Sequence, residues 1–389
     1  MKRRICVVTG SRAEYGLLRP LLEEIKADGG LDLRLLATGT HLSAEFGETF
    51  REIEADGFAI DERVEILLSS DTGVGIAKSM GLAMISLAEA YERLNPDIVV
   101  LYGDRFEVFS AAAAVHVSRI PAAHISGGEV TEGAFDDSFR HCITKMSHLH
   151  FTSTEEYRKR VIQLGEDPEH VFNVGALGLD NIRILKLLSK EALEKELDFK
   201  FNKHNFLVTF HPVTLEKNTS GGQFQELLDV LDELKDTNVI FTKANADTGG
   251  RIINEMIDRY VLKNSAKARA FVSMGQLRYL SAMQFVDAVV GNSSSGIVEA
   301  PSFKVGTINI GDRQKGRMKA KSIIDCAPTA AAIKKALRRL YSNTFQEGLR
   351  LVVNPHGDGN AAKRIKDTLK NYDIENMVKK SFYDVSFGF

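Results

Sequence analysis

Apolar and polar residues along this chain follow two alternating patterns. Short runs of branched apolar residues predict buried β-strands, and longer stretches with apolar residues three and four positions apart predict helices. In "VVTGSRAEYGLLRPLL", residues 7–22, an apolar run ends at Gly10 and a helical pattern with leucines on one face follows. In the first half, strands are predicted at 5–9, 33–37, 97–102, 121–125, 149–153 and 171–174, with helices near 13–27, 74–94, 106–118, 137–146 and 155–164. In the second half, strands are predicted near 205–210, 238–242, 268–272, 287–290 and 305–310, with helices near 221–235, 250–263, 276–283, 295–302 and 329–341.

This alternation predicts the fold class. Strands that alternate with helices are typical of a parallel sheet with helices on both faces, so two such series predict an α/β protein with two doubly wound domains. The boundary is expected within residues 185–205, where charge rises and glycine is absent, which gives domains 1–185 and 186–358. Ligands of such folds bind beyond the carboxyl ends of the strands. We therefore expect the active site in a cleft between the two domains.

Composition narrows the class of protein. Hydrophobic residues make up 44% of the 389 residues, and 50 basic residues nearly balance 52 acidic ones, for a net charge of −2. This balance argues against nucleic acid and against a membrane surface as partners. The 3 cysteines show no C-x-x-C spacing, which favours a reducing compartment. No apolar run suggests a signal peptide or a membrane span, so we expect a cytoplasmic protein.

Ionisable residues collect after two predicted strands of the first half. Asp104 and Arg105 follow strand 97–102 in "YGDRFEVFS", where the alternative role of Asp104 is a helix N-cap. The segment after the next strand, "HISGGEVTEGAFDDSFRH", contains His124, Glu129, Glu132, Asp136, Asp137, Arg140 and His141. A turn does not require so many ionisable groups, and the segment predicts an acid–base site. The alternative is that one of the two aspartates caps the helix and that the arginine pairs with it.

The second half supplies residues that suit an anion. The segments "TFHPVT", "TKANADTGGR", "VVGNSSSGIVEAPSFKV" and "NIGDRQKGR" place His211, Asn245, Ser293, Ser294, Ser295, Glu299 and Arg313 at or just beyond predicted strand ends. Serine hydroxyls and free backbone N–H groups at the start of a helix bind anions, and the helix dipole assists them. A plain N-cap is the alternative role of Ser293, but capping does not need three consecutive serines. No H-E-x-x-H, EF-hand loop or other metal-ligand spacing occurs, so we expect no metal ion and no cofactor.

Several of these segments together resemble one enzyme family. They are "TGSRAEYG", "GDRFE", "GGEVTEGAFDDSFRHCITKMSHLHFTSTEEYRKRVIQLGE", "FHPVT", "NADTG" and "GNSSSGIVEAPSFKVGTINIGDRQKGR", spread over roughly residues 7–317 in family order. The chain resembles the hydrolysing UDP-N-acetylglucosamine 2-epimerases that begin the synthesis of sialic and related nonulosonic acids in bacteria. The resemblance implies a GT-B arrangement of two Rossmann-like domains and a C-terminal segment, 359–389, that completes the first domain. It also implies a homodimer or homotetramer.

The resemblance further implies a set of site residues. The residues that match the family's contacts to UDP are Arg12, Arg105, His211, Asn245, Ser293, Ser294, Glu299 and Arg313. The residues that match or adjoin the family's catalytic groups are Asp104, Asp136, Asp137 and Arg140. His211 is counted in both sets. Many relatives read H-x-E-G-G-E, whereas this chain has Ser126 in place of the first glutamate. Either Asp104 and Asp136 suffice, or Glu129 takes the missing role, or the sugar substrate differs.

The implied reaction begins with departure of UDP from C1 and loss of the C2 proton to a carboxylate. Addition of water to the resulting 2-acetamidoglucal then gives N-acetylmannosamine. Arg12, in a loop without G-x-G-x-x-G, is expected to reach the diphosphate with its side chain. The alternative substrate is UDP- or GDP-linked N,N'-diacetylbacillosamine, as in legionaminic acid synthesis. Rival functions are a GT-B glycosyltransferase, a non-hydrolysing epimerase and a sensor of nucleotide sugars.

Overall fold

A computed structural model describes residues 2–68, 72–130, 136–212, 219–244 and 250–386. The chain divides into two compact units. The first unit comprises the described residues of Met1–Val130, Phe135–Asn181 and His356–Phe389, and the second comprises those of Ile182–Pro355.

Each unit contains one β-sheet and the helices that cover it. The strands are β1 (Arg3–Thr9), β2 (Leu31–Thr38), β3 (Glu62–Val64), β4 (Ile98–Tyr102), β5 (Ala122–Ile125), β6 (Leu149–Thr152), β7 (Val171–Asn173), β8 (His204–Thr209), β9 (Thr237–Thr242), β10 (Ala268–Phe271), β11 (Ala288–Gly291), β12 (Gly306–Ile310) and β13 (Ile323–Cys326). The α-helices are α1 (Arg12–Ala27), α2 (Phe50–Ala55), α3 (Gly73–Leu94), α4 (Phe106–Val117), α5 (Asp136–Met146), α6 (Glu155–Gln163), α7 (Asp180–Ile184), α8 (Lys190–Leu197), α9 (Ser220–Glu233), α10 (Gly250–Lys263), α11 (Gly275–Met283), α12 (Ser295–Val298), α13 (Ala330–Leu340), α14 (Asn343–Arg350) and α15 (Ala361–Asn371).

The two sheets share the order of their first six strands, and the first sheet has a seventh. The first runs β3-β2-β1-β4-β5-β6-β7 and the second runs β10-β9-β8-β11-β12-β13, with parallel pairing throughout both. In such a sheet the connections reverse direction between the first and fourth strands, and a crevice opens beyond their carboxyl ends. This place is called the switch point of the sheet. It lies between β1 and β4 in the first unit and between β8 and β11 in the second.

Residues of β1 show how the sheet is buried on both faces. Ile5 and Val7 pack on the face covered by α1 and α15, whereas Cys6 and Val8 pack on the face covered by α3 and α4. Helix α15 is held at its start by Asp180, whose two carboxylate oxygens accept hydrogen bonds at 3.0 Å from the backbone N–H groups of Ala361 and Ala362. The last helix of the chain is thus part of the core of the first unit.

The alternation predicted from sequence is confirmed, and each predicted strand and helix lies within a few residues of an observed one. Strands β3 and β13 were not predicted because both lie at the edge of their sheets, where short and partly polar segments suffice. The helix predicted over 295–302 is only the single turn α12 followed by a 3₁₀ turn, Ala300–Phe303. Pro301 lacks the N–H group that a longer α-helix would need there.

One helix bears on the expectation that the chain has no membrane span. By length and composition alone, the 22-residue α3 is long and apolar enough to cross a membrane. One side of it, including Ala83, Leu87 and Tyr91, is buried in the first unit, whereas Val74 and Ile85 are exposed. Core helices of soluble proteins meet the same two criteria, so this single helix is weak evidence for a membrane.

Candidate active site

The switch point of the first unit is formed by the loops that follow β1 and β4. Ser11 caps α1 by accepting a hydrogen bond from the Glu14 backbone, and Arg12 is the first residue of this helix. The Arg12 side chain is about half exposed and forms an ion pair at 3.0 Å with Glu52 of α2. Asp104 and Arg105 lie in the β4–α4 loop, and Arg105 occupies the N-cap position of α4 without a side-chain capping bond. The N-cap position that the sequence offered to Asp104 is therefore occupied by Arg105.

The turn after β5 is tightly constrained. Ser126 has a φ of +69°, which is unusual for a residue other than glycine. Gly128 has a φ of +76°, and a Cβ atom there would collide with the Tyr157 carbonyl oxygen. His124, fully buried, contacts the Gly103 carbonyl oxygen through Nε2 at 2.8 Å. Burial lowers the pKa of His124 to about 3, so the imidazole is neutral and links the β4 and β5 loops.

Arg140 is the centre of the acidic cluster. This residue of α5 is 4% exposed, and its guanidinium donates hydrogen bonds to the Asp104 carboxylate and, at 2.9 Å, to the Ser126 carbonyl oxygen. Although burial alone would lower it, the pKa of Arg140 is raised by the nearby charges of Asp104, Glu129 and Asp137. One buried cation thus lies near three of the predicted carboxylates, which come from the two segments that follow β4 and β5.

The carboxylates around Arg140 differ in environment. Burial, and then the Asp104 charge, raise the pKa of Asp136 to about 6, while Arg105 opposes the shift. The Glu129 carboxylate accepts a hydrogen bond at 3.1 Å from the Ser153 hydroxyl. Asp137 lies 3.7 Å from the His141 ring. A pKa of about 6 suits Asp136 to act as a base near neutral pH.

The switch point of the second unit is closed by a backbone contact that only glycine permits. Gly291, the last residue of β11, has a φ of +128°, and a Cβ atom there would collide with the Thr209 carbonyl oxygen of β8. The next residue, Asn292, is buried and bonds to both backbone groups of His211: its Oδ1 accepts from the N–H at 2.7 Å and its Nδ2 donates to the carbonyl at 2.8 Å. The chain segments after β8 and β11 are therefore fixed to each other.

His211 and Arg313 lie near each other at this switch point. The guanidinium of Arg313 donates to the Asn292 carbonyl oxygen at 3.1 Å, as does the Gln314 amide at 2.8 Å. Burial, and then the Arg313 charge, lower the pKa of His211 to about 4. The imidazole is therefore neutral at pH 7 and acts as a hydrogen-bonding group, while the positive charge comes from Arg313.

The serine segment shows a mixture of the predicted roles. The Ser293 hydroxyl accepts a hydrogen bond from the Ser295 backbone at 3.3 Å, as in a capping turn, whereas Ser294 is exposed. Burial raises the pKa of Glu299 to about 7, while the nearby Ser295 side chain opposes the shift. Because α12 is one turn long, it contributes little dipole, and an anion here would depend on hydroxyl and N–H donors. The help that was expected from the helix dipole is correspondingly small.

Sequence reasoning missed two groups at this switch point. Burial raises the pKa of Tyr279 of α11 to about 12, while the side chains of Ser295, Thr209 and Ser293 oppose the shift. Nothing in the sequence pairs a tyrosine of α11 with the serine segment. Gln314 had a signal, since it directly follows Arg313.

The structure therefore brings the predicted residues together in two groups. Asp104, Arg105, Glu129, Asp136, Asp137 and Arg140 lie at the first unit's switch point, and His211, Ser293, Ser294, Glu299 and Arg313 lie at the second unit's. Arg12 lies with the first group, beside the β1–α1 loop. Asn245 and Glu132 fall outside the described residues.

Comparison with known proteins identifies the family. Residues 23–370 match the model of the family described as UDP-N-acetylglucosamine 2-epimerase. The chain belongs to this family. This match confirms the resemblance found in the sequence. It also confirms, at the level of the family, that the chain is a nucleotide-sugar 2-epimerase.

Three relatives match along almost their whole length. A GDP/UDP-N,N'-diacetylbacillosamine 2-epimerase (hydrolyzing) from Campylobacter jejuni is 46% identical, over 99% of this chain and 100% of the relative. The polysialic acid biosynthesis protein P7 from Escherichia coli is 40% identical, over 98% of both chains. A UDP-N,N'-diacetylbacillosamine 2-epimerase (hydrolyzing) from Legionella pneumophila is 35% identical, over 97% of this chain and 98% of the relative.

A solved structure shows the same fold. The crystal structure of UDP-GlcNAc 2-epimerase from Neisseria meningitidis bound to UDP-GlcNAc has a TM-score of 0.79 and 18% identity, covering 94% of this chain and 99% of the other. Together with the two parallel sheets, this likeness confirms the predicted fold class of two Rossmann-like domains of the GT-B type.

Proposed function

We propose that this protein is a hydrolysing 2-epimerase of N,N'-diacetylbacillosamine linked to UDP or GDP. The observation that carries this proposal is the 46% identity to the Campylobacter jejuni enzyme over the full length of both chains. The 35% identity to the Legionella pneumophila enzyme, again over nearly both whole chains, supports the same sugar. This reading replaces UDP-N-acetylglucosamine, the main expectation from the sequence, as the first candidate substrate.

The acidic residues at the first unit's switch point suit the chemistry of this reaction. Asp136 takes the proton from C2 while the C1–O bond breaks and its electron pair leaves with the nucleoside diphosphate. The C2–H electrons form a C1=C2 double bond, so the first product is a glycal. Water then adds its oxygen to C1, and C2 receives a proton on the opposite face, which inverts that carbon. A half-buried carboxylate with a pKa of about 6 is a stronger base than an ordinary aspartate and is still ionised at pH 7.

Asp104 and Arg140 have different roles in this proposal. The two side chains form a direct ion pair, and the Asp104 charge contributes to the raised pKa of Asp136. We assign to Asp104 either the return of a proton through water or the orientation of the sugar. We assign to Glu129 the role of the family glutamate that Ser126 replaces in this chain. The second unit binds the nucleotide, with Arg313 and the serine hydroxyls on the diphosphate and Glu299 on the ribose.

UDP-N-acetylglucosamine is the second candidate substrate. A specific observation favours it: the chain is 40% identical to a protein named for polysialic acid biosynthesis. Both candidates have an acetamido group at C2 and react by the same steps. They differ at C4 and C6. In the bacillosamine derivative C4 carries a second acetamido group, and C6 is a methyl group.

The test is product analysis by ¹H NMR with three separate substrates and no acceptor: UDP-N-acetylglucosamine and N,N'-diacetylbacillosamine linked to UDP or to GDP. We expect rapid release of the nucleoside diphosphate and a free sugar inverted at C2 from one or both bacillosamine substrates. A kcat/KM at least tenfold higher for UDP-N-acetylglucosamine would transfer the proposal to the second candidate. Release that requires an acceptor sugar would indicate a glycosyltransferase instead.

A further inference from the structure

Two buried glutamates lie at the first unit's switch point but have no role in the proposed reaction. Glu14 is in the first turn of α1 and is 6% exposed, and Glu107 is in the first turn of α4 and is fully buried. Carboxylates are rarely buried this deeply without compensation, because removal of a charge from water is costly. Their contacts therefore indicate what the protein uses them for.

Both glutamates face the same cation. One oxygen of Glu107 accepts hydrogen bonds from Nε and Nη2 of Arg105 at 3.1 Å and 2.9 Å. Glu14 lies 3.6 Å from the same Nε, and its other oxygen accepts the Gly10 N–H at 2.8 Å. The described residues offer no hydrogen-bond partner to Oε1 of Glu14 or to Oε2 of Glu107. Two buried carboxylates thus share one guanidinium, and each has one oxygen that accepts no hydrogen bond from the described residues.

The backbone keeps space for this arrangement. Gly39, in the turn after β2, has a φ of +59°. A Cβ atom there would lie 2.6 Å from the Gly10 carbonyl oxygen and 3.1 Å from both Cγ and Oε1 of Glu107. Any larger residue would displace the Glu107 carboxylate from Arg105. Glycine is therefore required by the carboxylate as well as by the turn.

The charges around Glu14 do not balance when both glutamates are ionised. Burial, and then the Glu107 charge, raise the pKa of Glu14 to about 7, while Arg105 and the Gly10 N–H oppose the shift and Asp104 adds to it. The nearby His41 contributes no charge, because burial lowers its pKa to about 4. One cation thus faces two buried anions near neutral pH.

Arg105 connects this pair with the acidic cluster. Its charge lowers the pKa of Asp136, whereas the Asp104 and Glu107 charges raise it. About 44% of the Arg105 side chain is exposed, so it is held by these ion pairs rather than by complete burial. A residue that fixes Arg105 would therefore act on Asp136 from a distance.

We propose that Glu14 and Glu107 are positioning residues that hold the Arg105 guanidinium beside Asp136. The inference rests on the proposed function in that Asp136 is the group that accepts the C2 proton. Glu107 supplies the two direct bonds to Arg105. Because the pKa of Glu14 is raised to about 7, this carboxyl is partly protonated near neutral pH and leaves the guanidinium mainly to Glu107.

The Glu107→Gln variant separates positioning from a simple charge effect. Loss of the Glu107 charge alone lowers the pKa of Asp136, because that charge raises it. Release of Arg105 has the opposite effect, and Arg105 has the stronger influence of the two. We therefore expect the acidic limb of the kcat/KM profile to move to higher pH, by roughly half a unit or more, with activity largely recovered at alkaline pH. A shift to lower pH, or an equal loss at every pH, overturns the positioning role.

Glu14 is tested by comparing two variants. The amide in Glu14→Gln resembles the protonated acid, so we expect the acidic limb to stay within about 0.3 units of its original position. Glu14→Ala leaves the Gly10 N–H without its acceptor and is expected to lose more activity than Glu14→Gln. Equal losses in the two variants would contradict a protonated Glu14. Glu92→Gln, at an exposed glutamate of α3, is the matched control.

A readout without turnover keeps this inference separate from the proposed function. In protein with ¹³C-labelled glutamate carboxyls, we expect two glutamates to titrate near pH 7, one removed by Glu14→Gln and the other by Glu299→Gln. In Glu107→Gln the Glu14 titration moves to lower pH, because a like charge is gone. If Glu14→Gln removes no titration near neutral pH, a protonated Glu14 is ruled out, whichever nucleotide sugar the enzyme accepts.

Discussion

Replacement of Asp136 by asparagine should inactivate the protein and at the same time stabilise it. The change keeps the size of the side chain and removes the basic oxygen. If Asp136 takes the C2 proton, kcat should fall by about 10²–10⁴, the usual range for a general acid–base group. That loss equals roughly 2.7–5.5 kcal/mol of transition-state stabilisation at about 1.4 kcal/mol for each factor of ten.

The stability gain follows from the environment of the carboxyl group. Burial and the Asp104 charge raise the pKa of Asp136 from 3.8 to about 6, so ionised Asp136 destabilises the folded state. A shift of about two units corresponds to roughly 3 kcal/mol at most, and solvent screening of a half-buried side chain reduces it to about 1 kcal/mol. In a unit of this size, that gain should raise Tm by about 2–4 °C.

The sign of this effect depends on pH. Because the folded-state pKa is higher than the unfolded one, the folded protein binds the extra proton between pH 3.8 and about 6. The destabilisation is therefore absent below the lower value and complete above the higher one. Asp136→Asn should raise Tm at pH 8 and leave it nearly unchanged near pH 4, as measured by calorimetry at both values.

The matched control is Asp198→Asn, at an aspartate whose side chain is 98% exposed. It should change neither kcat nor the pH dependence of Tm. A near-normal kcat in Asp136→Asn would refute its role as the base. A lower Tm at pH 8 would refute the reasoning about its environment, even if activity were lost.

Three further predictions follow from the site. If Arg12 and Arg313 both contact the diphosphate, Arg12→Ala and Arg313→Ala should each weaken nucleoside diphosphate binding by about 10–100-fold. The reason is that each variant lacks one charge-assisted contact. Unchanged affinity by calorimetry in both variants would exclude these arginines from the binding site. Turnover in D₂O should place deuterium at C2 of the free sugar, because the new hydrogen comes from solvent, and product without C2 deuterium by NMR would exclude the elimination route. Activity should persist after dialysis against a chelator, since the proposed steps use side chains alone, and a complete loss reversed by one divalent ion would contradict this.

The sequence predicted the positions of the polar residues better than their chemical states. Parallel strands carry their carboxyl ends to one edge of a sheet, so the segments after β1, β4 and β5 could be assigned to one site from order alone. The prediction reached Asp104, Asp136 and Arg140 in this way. It did not reach Glu14 or Glu107, which look like ordinary acidic residues in the first turn of a helix.

Local sequence patterns by themselves determined that strands alternate with helices, that this alternation occurs in two series, and that glycines mark the strand ends. These features depend on periodicity and turn chemistry, which act over a few residues. Only the tertiary structure decided which charges share a buried environment. The pKa of Asp136 depends on Asp104 and Arg105, more than thirty positions away in the sequence, and on how much water reaches all three. The same holds for His211, which Arg313 helps to keep neutral across a hundred residues of chain. Charge–charge interactions depend on distance and local dielectric, which are set when the strands pair.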